Sequence, residues 1–137
     1  MHHLQGFNHL AILACGVFIW MLGAAWYSPP LFAKPWAAML GLNMNSGNKK
    51  GMVTGMISSF IGDLILSFML AHFVIWSDST TFGAGAFVGF IAWLGFVASP
   101  MFPQGIYEGR PTGLFWINAG YWLVGIPIAG GILAIWH

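Results

Sequence analysis

Long apolar windows separated by short polar or Pro/Gly-rich breaks dominate the chain. A bilayer core of about 30 Å takes about 20 mainly apolar residues per helix, and windows of that length fall at about 8–28, 52–76, 82–103 and 112–136. The first two hold no Lys, Arg or Glu, and the second carries one acid, Asp63. The pattern predicts an all-α integral membrane protein with four transmembrane helices. Four such spans consume roughly 80 residues, so residues 1–137 read as a single membrane domain with short connections. The stretch from Leu10 to Trp26 lacks a Lys/Arg-rich lead-in and is more aromatic than a signal segment. It is expected to stay as the first span.

The first connection is patterned. Pro29 and Pro30 stop the helix, and Leu31, Phe32, Trp36, Met39 and Leu42 then recur at near-helical spacing around Lys34, which predicts a short helix in the headgroup layer. Trp26, Tyr27 and Trp36 suit an aromatic belt there; Asn43 to Lys50 reads as an exposed loop. Short cytoplasmic loops carry the Lys/Arg excess. Lys34, Lys49 and Lys50 fall in the first connection and Arg110 in the third, and the second connection and both termini carry none. The first and third connections are therefore expected in the cytoplasm, with both termini and the Ser77–Phe82 turn outside.

Composition narrows the function classes. Hydrophobic residues make up 58% and charged residues 5%, against about 25% charged in a soluble domain, which excludes a soluble globular protein. A net charge of +1 gives no field for nucleic acid; membrane lipids are the expected surroundings. The single cysteine, Cys15, makes no internal disulfide and no cysteine-based metal site within one chain. His2, His3, His9, His72 and His137 lack the close spacing of a metal site, and the eight Met, with Met52 and Met56 one turn apart, suit a copper(I) site or, equally, gap-filling in a bundle. No metal or cofactor is expected. Nucleophile-elbow, Walker and dinucleotide motifs are missing, and Asp63, Asp78 and Glu108 fall at three depths, which leaves no carboxylate pair.

Lipid supplies little drive for helices to associate, so close approach rests on small residues and buried polar groups. In the second span Gly51, Gly55, Ser58, Ser59, Gly62, Asp63 and Ser67 occupy one half of a helix, and Val53, Ile57, Phe60, Ile61, Leu64, Ile65 and Phe68 the other. Protein is expected on the first half and lipid on the second. Stripes of Gly85, Gly89, Ala92 and Ser99, and of Gly113, Gly120 and Pro127, serve bundle packing or a seam for a homo-oligomer. Thr54-Gly55 with Gly62 matches Thr112-Gly113 with Gly120 in spacing, and Ser28-Pro29 matches Ser99-Pro100. Such a repeat describes two parallel helical hairpins, with Asp63 equivalent to Tyr121.

The segments Trp26-Tyr27-Ser28-Pro29, Leu31-Phe32 and Lys34-Pro35-Trp36, with Glu108-Gly109-Arg110-Pro111 and Ile117-Asn118-Ala119-Gly120-Tyr121, resemble the bacterial domain-of-unknown-function 1761 family over nearly the whole chain. The resemblance implies a small four-span bacterial inner-membrane protein. It brings no activity, cofactor or catalytic residue.

Asp63 lies about 11 residues into its span, roughly 17 Å deep and close to the midplane. An ionised carboxylate there costs around 2.5–3.5 kcal/mol on insertion scales, so it is expected to face protein or water. It is either a proton or ion site with Ser59 and Ser67 one turn away, or a protonated structural residue bonded to Asn118 or Tyr121. Glu108 and Arg110 either anchor their turn to the first connection or to headgroups, or form a gate or substrate clamp. The leading expectation is a transporter or channel subunit for a small solute or ion. The alternatives are a structural or accessory protein binding a partner, and a membrane enzyme acting on a lipophilic substrate.

Overall fold

The computed structural model describes residues 7–28, 31–40 and 49–136, the side chains at 40 and 49–52 excepted. Among them the regular elements are all helical: α1 His9–Trp26, α2 Ala33–Leu40, α3 Lys49–Trp76, α4 Phe82–Tyr107 and α5 Thr112–Ile135. Four helices, His9–Trp26, Val53–Trp76, Phe82–Tyr107 and Thr112–Ile135, are long and apolar enough to cross a membrane. The short helix expected after the first span is α2. Pro29, Pro30 and the stretch 41–48, with most of the expected loop, lie outside the described residues. Lys49 and Lys50, assigned to that loop, instead open α3.

The third span runs past its expected end at 103 to Tyr107, although it contains Pro100 and Pro103. A five-residue π turn at Leu94–Ala98 stands just before Pro100, and a widened turn relieves the contact between a proline ring and the carbonyls before it. The Ser99 amide and hydroxyl both donate to the Leu94 carbonyl, the hydroxyl at 2.7 Å. At the far end Gly109, with φ +69°, closes the helix. The Arg110 amide reaches back to the Gly105 carbonyl and the Gly109 amide to that of Ile106, the left-handed cap that glycine favours.

Helix α5 is central: 56% of its most apolar 18-residue stretch is buried, against 17% for that of α4 and 28% for those of α1 and α3. Small residues explain this. Gly85 and Gly130 bring the α4 and α5 backbones so close that a Cβ at either would strike the other's carbonyl oxygen, and one at Gly89 would stand 2.7 Å from the Ile126 oxygen. On the other side of the molecule, Gly16 of α1 admits Leu64 of α3, whose Cδ2 lies 2.6 Å from a Cβ placed at Gly16. The chain thus builds two hairpins, α1 with α3 and α4 with α5, joined mainly through α1 and α5.

The contact face of α3 differs from the expected one. Asp63 and Ser67 are buried as expected, but Gly55, Ser58, Ser59 and Gly62 are exposed, and nothing lies within 4 Å of a Cβ at either glycine. Leu64, assigned to the lipid half, packs instead on Gly16. The Gly16 notch fixes the rotation of α3, so that Ser67, Leu70, Ala71 and Val74 turn inward. Of the glycines matched in spacing, Gly113 and Gly120 pack on Met39 and Trp26, whereas Gly55 and Gly62 meet open space.

Gly85→Ala is expected to destabilise by about 1–3 kcal/mol, because overpacking here meets backbone and not a movable side chain. Gly55→Ala is expected to be neutral or stabilising by up to about 1 kcal/mol through helix propensity. Melting of the two variants in one detergent checks both.

Candidate functional site

Aromatic donors in hydrocarbon seek carbonyls, because water is not there to receive them. At the end of α1 the Trp26 Nε1 donates to the Ile117 carbonyl of α5 at 2.9 Å. One residue on, the Tyr27 hydroxyl donates to Asn118 Oδ1 at 2.6 Å. The Tyr27 ring stands edge-on to Tyr121, with centroids 5.8 Å apart, and to Trp36 of α2 at 5.4 Å. Gly23 leaves room for Tyr121, whose hydroxyl would lie 3.0 Å from a Cβ there and donates to the Ile19 carbonyl at 2.8 Å.

Asp63 points into this region from α3. It is 4% exposed and interacts electrostatically with Tyr121. Among the described residues its carboxyl has no hydrogen bond or ion pair. Of the groups expected to hold it, the Tyr121 hydroxyl donates to Ile19 and the Asn118 amide oxygen accepts from Tyr27. Ser67 is fully buried but gives its hydroxyl to the Ile12 carbonyl at 2.8 Å, tying α3 to α1. Ser59 is exposed and takes no part.

The remaining motif residues separate. The Ser28 hydroxyl donates to the Ala25 carbonyl within its own turn, Pro29 lies outside the described residues, and Lys34 is exposed on α2. Glu108 and Arg110 form an ion pair of 2.9 Å at the α4–α5 turn, with the Gln104 amide donating to Glu108 at 3.2 Å. Pro111, extended at φ −60° and ψ 143°, starts α5. His72 sits among Phe7, Phe68 and Trp76. Among the described residues no three His, Cys, Asp or Glu gather into a metal site.

The sequence separates an intramembrane polar group from a loop motif; the fold joins part of each. Trp26 and Tyr27 meet Asn118 and Tyr121, with Trp36 against Tyr27, while Lys34, Glu108, Arg110 and Pro111 stay apart. Gln104, Gly16 and Gly23 were not singled out. The signal for the two glycines was their placement in α1 seven residues apart, which puts both on one face of a helix.

A family model described as "Protein of unknown function (DUF1761)" matches residues 10–134. No curated protein and no solved structure matches the chain.

Tyr27→Phe leaves the Asn118 carbonyl oxygen without its donor and is expected to destabilise by about 1–3 kcal/mol. Asn118→Leu introduced on top of it is expected to add much less than it does alone. A double-mutant cycle by thermal melting in detergent measures the coupling.

Proposed function

The chain belongs to the DUF1761 family of proteins of unknown function, and we propose that it is a small bacterial inner-membrane transporter or channel subunit in which Asp63 reversibly binds a proton or small cation. The supporting observation is that Asp63 is buried and, among the described residues, uncommitted to any hydrogen bond. A structural carboxyl in hydrocarbon offsets its desolvation by bonding its neighbours. Here the phenol of Tyr121 and the amide oxygen of Asn118 are already engaged, which leaves the carboxyl available for exchange.

Four short helices enclose little aqueous volume, so the path is placed between protomers of a homo-oligomer. The exposed side of α3 carrying Gly55 and Gly62 gives a flat surface for that contact. Lys34, Lys49, Lys50 and Arg110 are assigned to the cytoplasmic side, with both termini outside.

In liposomes holding a pH dye and clamped by a potassium potential, the wild type is expected to carry a proton current, or a sodium or potassium flux in the matching assay. Asp63→Asn should fall to the level of empty liposomes while melting no lower than wild type, since it gives up no hydrogen bond. Undiminished flux in Asp63→Asn, or wild-type vesicles no leakier than empty ones for all three ions, rejects the reading. For topology, a cysteine at Ser79 is expected to react with an impermeant maleimide in intact cells and one at Lys34 only after the membrane is opened; Cys15→Ser serves as the background.

A further inference from the structure

Cavities of about 490, 250 and 370 Å³ run into one another along α4, the first between its second half and α5 and the other two between α4 and α3. The largest reaches from Glu108 and Arg110 past Pro100 to Leu66, Phe96 and Asn118. Leu66, Phe96 and Val97 also line the second, which continues to Phe73 and Ile126. Phe73 and Phe96 pass it on to the third, which ends at Trp76 and Ser77. The groove follows from the packing: glycines hold the first half of α4 against α5 and Leu64 holds α3 against α1, so α3 and α4 diverge, and past the π turn the second half of α4 parts from α5.

Its length and chemistry point to one kind of occupant. Between Thr112 and Ile126, α5 rises about 21 Å, more than the roughly 15 Å of one leaflet's hydrocarbon. The walls are mostly apolar, with Gln104, Thr112 and Asn118 confined to the largest cavity, and Phe73 and Phe96 are 38% and 71% exposed, open to the side where acyl chains lie. The charges stand at one end only. There the Arg110–Glu108 pair is half-exposed, with side chains 48% and 42% accessible. A guanidinium offers a planar fork for phosphate, and the carboxylate beside it accepts from an ammonium. A paired cation and anion carry no net charge to favour a purely anionic headgroup.

We propose that the groove binds a phospholipid whose headgroup joins a phosphate to a primary amine. The phosphate sits on Arg110, the ammonium on Glu108, and one acyl chain lies along Phe96, Leu66 and Phe73. This site does not use Asp63 and stands whether or not ions are transported.

The test is lipid retention by delipidated protein in detergent, read by native mass spectrometry after addition of phosphatidylethanolamine or phosphatidylglycerol of equal chain length. The wild type is expected to prefer phosphatidylethanolamine. Arg110→Gln should lower its retention about fivefold, in line with one partly exposed charged contact. Glu108→Gln should shift the preference toward phosphatidylglycerol, Val97→Trp should lower retention of both lipids by filling the groove, and Asp63→Asn should change neither. Equal wild-type retention of the two lipids, a preference that survives both charge variants, or displacement by soluble glycerophosphoethanolamine overturns the proposal. So does an oligomer that holds no lipid because a second copy fills the groove. The wild-type comparison needs no variant to fold.

Discussion

The contact of backbone on backbone between α4 and α5 sets the rest of the structure. Where hydrocarbon surrounds the helices, burial of apolar surface against protein gains little over burial against lipid, and dispersion at short range must do the holding. Gly85, Gly89 and Gly130 supply that range. Committing α4 so closely to one neighbour leaves α3 to lean on α1, and the wedge between the two hairpins stays open along its length. The seam and the groove are therefore two results of one packing choice.

A second constraint operates on polar atoms. Trp20, Trp26, Trp93 and Tyr121 each donate to a main-chain carbonyl of another helix, those of Met56, Ile117, Ala119 and Ile19. Helical carbonyls retain a second lone pair after their internal bond, so these ties cross the bundle without breaking any helix. Ser67 does the same toward Ile12. Against that background Asp63 is the exception. The Tyr121 hydroxyl goes to Ile19 and the Tyr27 hydroxyl to Asn118, and the carboxyl stands beside the aromatic cluster without joining it.

The four spans, the interfacial helix and the burial of Asp63 and Ser67 were legible because each follows from a one-dimensional property: run length, spacing, or the penalty on a charge at depth. The inward side of α3 was not legible. Its small residues predicted a contact face at Gly55, Ser58, Ser59 and Gly62, and the helix is rotated away from it because one notch, at Gly16 on another helix, takes Leu64. A small residue permits close approach; whether a neighbour uses it depends on that neighbour's shape. The site was half legible for the same reason. Asn118 and Tyr121 were found as polar groups at depth, but their bonds to Tyr27 and Ile19 arise only once α1 lies across α5. The placement of Glu108 and Arg110 as a pair at a tight turn needed only local sequence, since Gly109 and Pro111 define that turn.

The π turn of α4 has a consequence beyond admitting Pro100. The inward positions Gly85, Gly89 and Trp93 recur every fourth residue, and the next, Ala98, comes at the fifth. The wide turn inserts one residue into the helical count and so resets the phase of everything after it, by about 100° relative to an uninterrupted helix. A chain shortened by a single residue there keeps its spans and its glycine contacts, yet presents Gln104 and Glu108 to a different quarter of the surrounding bilayer. The azimuth of that charged tip is thus encoded some ten residues upstream of it, in a stretch that carries no charge at all.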